Sequence, residues 1–204
     1  MIERCNLIIM AKAPRPGFAK TRLIPALGAE GAAALAARML DATLAHALGS
    51  DAALVDLCCA PDTDHPAFAR HAASPRVRLS GQGEGDLGAR MARAFERHLV
   101  PGRAVLMIGT DAPALDAALL RQAAYALQDA DAVFVPALDG GYALIGLHRA
   151  APSLFAAMVW STASVMADTR ERLKAAGLRH IELAPVADID EPADLAHLPP
   201  GWLT

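Results

Sequence analysis

Two groups of side chains in this sequence could do chemistry together. Lys12, Arg15, Lys20 and Arg22 fall within residues 11–23, AKAPRPGFAKTRL, and no Asp or Glu occurs between Arg4 and Ala29. Lysine and arginine form charge-assisted hydrogen bonds to phosphate oxygens. Pro14 and Pro16 stiffen the segment, and Gly17 permits close backbone approach. The segment reads as a phosphate-holding loop or as a solvated basic loop. It has neither the G-x-x-x-x-G-K-[ST] spacing of a P-loop nor a G-x-G-x-x-G turn. The second group is acidic. Asp111, in MIGTDAPAL (107–115), directly follows an apolar run. Its carboxylate suits Mg²⁺ or Mn²⁺, hard cations that bridge to phosphates, although Thr-Asp-Ala-Pro is also ordinary turn chemistry. Asp188 and Asp190, in VADIDEPADL (186–195), would point the same way along an extended segment. Asp190 is a candidate second metal carboxylate; standing before Glu191-Pro192, it is equally a helix N-cap.

Three further segments carry polar or glycine-rich patterns. In PALDGGYALIGL (136–147), Asp139 precedes two glycines, which suits a hairpin turn or a substrate-facing loop. In QGEGDLGARM (82–91), Gly85 and its neighbours allow close approach of a phosphate or base edge at a helix start. Asp86 is favoured there as the N-cap. In WSTASV (160–165), Ser161 or Thr162 would cap a helix, with Trp160 in the core or at a ligand's rim. The seven histidines show no paired spacing, and G-x-S-x-G and H-E-x-x-H are absent. Hydrolase and zinc chemistry therefore lack support.

The elements that must position these residues follow from periodicity. Residues 6–11, 52–59, 76–80, 104–109, 132–137, 142–147 and 179–184 read as strands. Helices are expected over 29–48, 66–72, 117–128 and 163–176, and from residue 87 onward. In the first, Leu35, Met39, Leu40, Thr43, Leu44 and Leu48 share a face. In the one after the glycine-rich loop, Leu87, Met91, Phe95 and Leu99 form a stripe. Asp116 caps the helix from 117, and Asp190 a short helix led by Pro192. Strands alternating with helices predict an α/β fold with a mainly parallel, mixed sheet, the Gly140-Gly141 turn joining two antiparallel strands. Ligands in such sheets sit at the carboxyl ends of the strands, so the loops 12–22, 81–86, 110–113, 138–141 and 185–190 should form the site.

Composition sets the outer limits. The 204 residues suit one domain, 1–204, with no repeat or linker to divide it. They are 54% hydrophobic and 20% charged, enough for a core. A net charge of -3 and a pI near 6.1 argue against nucleic-acid binding, so local positive charge points to a small anionic ligand. Cys5, Cys58 and Cys59 make a poor disulfide framework and read as reduced thiols. No secretory leader is evident and no stretch approaches the roughly 18 apolar residues of a membrane span, so a cytoplasmic location without a membrane partner is expected.

The motif order is more specific than any one motif. A strand, a basic loop with AKTRL, then GDLGARM, GTDAP, DGGYALIGL, WST and DIDEP, from about residue 6 to 195, resembles the bacterial DUF2064 family of GT-A-type glycosyltransferase-like proteins. The resemblance implies the nucleotide-diphospho-sugar transferase fold, a three-layer αβα sandwich. It implies that Lys20 and Arg22 contact phosphates with Lys12 and Arg15 nearby, as in the similar Lys-Ser-Arg-Leu loop of phospholactate guanylyltransferases. It implies that Asp111 and Asp190 hold Mg²⁺ or Mn²⁺; with such a site, the Asp139 loop is expected to meet a small-molecule acceptor. The sequence departs from Asp-x-Asp at Pro113, and only Gly17 lies between Lys12 and Arg22. Transfer from a nucleotide sugar is the first expectation, with nucleotidyl transfer from a nucleoside triphosphate second and a nucleotide-binding module without turnover third. Neither the base, the sugar, the acceptor nor the oligomeric state is specified.

Overall fold

The computed structural model describes residues 5–203. Seven strands form one sheet: β1 (Asn6–Lys12), β2 (Leu54–Ala60), β3 (Val77–Gly81), β4 (Val105–Ile108), β5 (Ala132–Pro136), β6 (Tyr142–Leu147) and β7 (His180–Glu182). Their spatial order is β3-β2-β1-β4-β6-β5-β7, and β6 runs antiparallel to both neighbours while the others run parallel. The helices are α1 (Ile24–Gly49), α2 (Pro66–Ala69), α3 (Leu87–His98), α4 (Ala117–Ala126) and α5 (Val165–Ala175). The fold is thus an α/β three-layer arrangement on a mixed, mainly parallel sheet.

The continuous apolar runs of the central strands exist because both sheet faces are covered. Leu7 and Ile9 of β1 point to the layer holding Leu40 and Leu44 of α1 and Leu120 of α4. Ile8, between them, points to the layer holding Met91 and Phe95 of α3 and Met166 and Leu173 of α5. This is the period-2 alternation of a strand buried on both sides. A third, smaller cluster joins Leu23, Leu35 and Met39 to Ile189, with Leu195, Leu198 and Trp202 packed on it.

The expected elements are present, with differences at their ends. The chain turns helical at Ile24 but breaks at Gly28, which has φ 71, so the regular run starts where the periodicity placed it. Counted from the preceding 3-10 turn, Thr21–Gly49 is long and apolar enough, by length and composition, to cross a membrane. That corrects the expectation that no such stretch exists. Alanines supply much of the hydropathy, and Leu40, Leu44 and Ala47 pack into the core, as in a core helix. Leu87 leaves the α3 stripe and is 42% exposed. Asp116 caps α4 as expected, accepting from Leu119 N–H at 2.8 Å. Cys5, Cys58 and Cys59 are free and buried.

Candidate functional site

The carboxyl ends of β1 and β4 and the amino end of the antiparallel β6 open into a cavity of about 850 Å³, closed by the 3-10 turn before α1 and by the starts of α3 and α5. Of the residues singled out from sequence, Lys12, Lys20, Arg22, Gly85, Asp86, Asp111, Asp139 and Asp190 line it. Arg15 and Gly17 do not. The Arg15 guanidinium lies 4.7 Å from the Phe18 ring centroid, and Phe18 is the residue that reaches the cavity. A smaller cleft of about 140 Å³ adjoins the same wall, bordered by Asp111, Asp139 and Asp188.

Lys20 joins the basic and acidic groups. Its side chain is 6% exposed, with Nζ 2.6 Å from Asp111 Oδ1 and 4.0 Å from Asp190 Oδ1, and it donates to the Ile189 carbonyl. Lys20 adopts left-handed backbone, φ 50, a conformation that costs energy and concentrates at functional sites. Ile189 N–H donates to the Asp111 carbonyl at 2.8 Å. One ammonium therefore ties together the loops after β1, after β4 and near the carboxyl end. Arg22 Nη1 donates to Asp190 Oδ2 at 2.7 Å.

The expectation that Asp190 caps the terminal helix needs correction. The helix, a 3-10 segment, begins at Pro192 and has Glu191 at its N-cap position. Asp194 reaches back, accepting from the N–H groups of Asp190 and Glu191 at 3.0 and 2.7 Å. The Asp190 carboxylate is thereby left for Lys20 and Arg22. Similarly, neither Ser161 nor Thr162 caps α5. Ser164 holds the N-cap position, and Thr162 Oγ1 donates to the Val159 carbonyl.

For Asp86 and Asp139 the turn and site readings coexist. Asp86 caps α3 through Ala89 N–H at 2.8 Å and still borders the cavity. Asp139 accepts from Gly141 N–H at 2.8 Å within its turn and borders both cavity and cleft. Gly140, φ 93, lies against the Ala163 carbonyl where a Cβ would overlap it, and its own carbonyl accepts from Met166 N–H at 2.8 Å. The Asp139 loop is thus clasped to the start of α5.

Several lining residues escaped the sequence reading. Asp188, two positions before Asp190, lines both cavity and cleft, and period-2 spacing is its only signal in the sequence. Its carboxyl is raised above the usual range by burial first, then by the charges of Asp139, Asp194 and Asp111. Gln82, Arg90 and Tyr142 also line the cavity, and Trp160, 6.5 Å from Tyr142 between ring centroids, forms part of its wall. Arginines of α3 hold the preceding glycine-rich loop by its carbonyls. Arg93 donates to Gln82 at 2.5 Å and to Glu84 at 2.9 Å, and Arg90 to Gly85 at 2.9 Å.

The comparisons with known proteins agree with this architecture. The profile of the DUF2064 family, described as an uncharacterized protein conserved in bacteria, matches residues 43–162. A crystal structure from Desulfovibrio desulfuricans G20, assigned as a nucleotide-diphospho-sugar transferase, is 31% identical with a TM-score of 0.85, covering 94% of this chain and 84% of that one. A nucleotidyl transferase from Methanothermobacter is 16% identical, TM-score 0.65, over 98% of each chain. Rv0371c of Mycobacterium tuberculosis H37Rv, in complex with manganese, is 15% identical, TM-score 0.53, over 95% of this chain and 97% of its own. No curated protein matches in sequence.

Proposed function

The chain belongs to the DUF2064 family, and from that premise we propose that it is a nucleotide-utilising transferase that moves a glycosyl group from a nucleotide sugar to a small-molecule acceptor. The observation that carries this reading is a wall of both charges at the strand ends. Lys12, Lys20 and Arg22 share one cavity with Asp111, Asp139 and Asp188. A diphosphate with a divalent cation is the ligand chemistry that such a wall matches. The 31% identical relative assigned as a nucleotide-diphospho-sugar transferase supports glycosyl transfer as the first choice.

The donor set fits a hard cation. Asp111, Asp139 and Asp188 offer carboxylate oxygens to one cleft. No three His, Cys, Asp or Glu among the described residues converge to cage an ion. Mg²⁺ suits such a site, because it is commonly bound by one or two carboxylates, with phosphate and water completing the shell. Asp111 would hold Mg²⁺ or Mn²⁺ with a carboxylate of the 185–190 loop. Asp188 borders that cleft, whereas Asp190, the residue expected from sequence, is engaged by Arg22 at 2.7 Å. When bound, the cation supplies positive charge that stabilises the diphosphate.

The chain's own residues account for the rest. Lys20 exchanges its contact with Asp111 for a phosphate oxygen, and Lys12 and Arg22 add charge-assisted hydrogen bonds. The acceptor oxygen attacks the anomeric carbon as the carbon–oxygen bond to the diphosphate breaks, and that electron pair leaves with the nucleotide. Asp139 takes the acceptor's proton. Trp160 and Tyr142 supply the cavity's aromatic surface. Reduced, buried thiols fit a cytoplasmic setting.

Nucleotidyl transfer is the second reading, favoured by the number of cations: Arg90 brings the cavity's basic lining to four side chains. Incubation with nucleotide sugars and with nucleoside triphosphates, each with Mn²⁺, separates the two. Nucleoside diphosphate release from a nucleotide sugar is the expected result; pyrophosphate release from a triphosphate alone would overturn it. Binding is read first by thermal shift, since ligand at 100 times Kd adds about 2.7 kcal/mol and raises Tm by several degrees.

A further inference from the structure

The side chain of Gln82 is set up to read a ligand. Gln82 is 6% exposed, follows β3, and lines the large cavity. Its Nε2 donates to the Ala11 carbonyl at 3.1 Å and to the Cys58 carbonyl at 3.0 Å. Those two acceptors determine which way the amide faces, because the reverse orientation would set oxygen against oxygen. Its backbone is committed as well: the N–H donates to the Cys59 carbonyl at 3.0 Å, and the carbonyl accepts from Arg93 Nη1 at 2.5 Å. Oε1 is what remains. It has no partner among the described residues, yet it is not among the buried unpaired atoms, so it is open to the cavity.

We propose that Gln82 Oε1 reads the nucleobase, accepting a hydrogen bond from an N–H of its edge. This rests on the nucleotide-binding reading above and adds to it the residue that selects the base. An uncharged acceptor oxygen repels phosphate and attracts a donor, so the ligand's anionic part belongs elsewhere. The amide sits on the ends of β1 and β2, whereas Asp111 follows β4 on the far side of β1. Strands spaced at about 4.8 Å put the two roughly 5–10 Å apart, the span between the base and the phosphates of a nucleotide. Met10 and Met91 line the same cavity, and thioethers make favourable contacts with flat aromatic rings.

The test is calorimetric titration of the intact protein with ADP, GDP, CDP and UDP in the presence of Mn²⁺, with inorganic pyrophosphate as the base-free control. Wild type is expected to bind one base about tenfold more tightly than the rest. Gln82→Met should bring that base to the level of the others while leaving pyrophosphate affinity unchanged. If that variant does not fold, the preferred nucleotide methylated at its edge N–H should bind wild type about tenfold more weakly. Four bases bound alike, a preference that survives Gln82→Met, or an undiminished methylated analogue would each overturn the assignment of Gln82 alone. Failure of every nucleotide and of pyrophosphate to bind wild type would overturn the nucleotide-binding reading beneath it.

Discussion

Lys20 is the residue on which the proposed site turns. Its Nζ, 2.6 Å from Asp111 and almost wholly buried, neutralises acidic groups that would otherwise repel a diphosphate and each other. Removing one preorganised charged donor from a site that binds developing negative charge typically costs about 100-fold in kcat. Lys20→Met should show a loss of that order in single-turnover assays. Lys20→Arg should not restore it, since a planar guanidinium cannot replace a compact ammonium in a pocket shared by two carboxylates and a carbonyl. The acidic side is tested by Mn²⁺-dependent nucleotide binding. Asp111→Ala and Asp188→Asn should abolish the metal dependence, whereas Asp190→Asn should keep it. Equal loss in all three would return Asp190 to the metal.

At the scale of elements, the site is held by contacts between segments far apart in the chain. Ile189, fully buried, packs with Leu23, Leu35 and Met39, while its backbone bonds Lys20 and the Asp111 loop. Ile189→Ala should destabilise the fold by about 3 kcal/mol, as truncation in a packed core does, and should raise the KM for nucleotide before it affects kcat. On the opposite wall, Gly140 needs positive φ and its Cβ position is filled by the Ala163 backbone. Gly140→Ala should cost more than about 1 kcal/mol, read by denaturant unfolding. It should weaken the acceptor side while leaving nucleotide affinity intact.

At the scale of the molecule, a buried charge network away from the site links pH to stability. Asp56 on β2 is 1% exposed, and His98 Nε2 at the end of α3 lies 2.6 Å from its Oδ2, with Arg97 Nη2 at 3.7 Å. Burial pushes the Asp56 carboxyl up, but hydrogen bonds from His98 and Ser80 and the charges of His98 and Arg97 outweigh it, so the net shift is downward. A carboxylate lowered in the folded state adds stability that is full above its unfolded pKa, about 3.9. That stability is lost as pH falls through the folded value. Urea midpoints taken from pH 6 downward should therefore drop below about pH 4. Asp56→Asn should be less stable at pH 7 by about 1–3 kcal/mol and should lack this component of the acid loss. An unchanged acid profile in the variant would assign the acid sensitivity elsewhere.

Local chemistry was enough to establish the alternating strands and helices, the Asp116 and Asp86 caps, the glycine hairpin before Tyr142, and a basic loop and an aspartate at the strand ends. Apolar periodicity, capping residues and turn glycines each act within a few positions, so a linear reading captures them. The tertiary structure alone decided that Lys20 reaches Ile189, 169 positions away, and that Arg15 turns to Phe18 instead of the cavity. It also decided that Glu191, not Asp190, holds the N-cap position and that Gln82 presents its oxygen. Loop side chains are aimed by partners brought from distant segments, and no periodicity in the chain records which partners those will be.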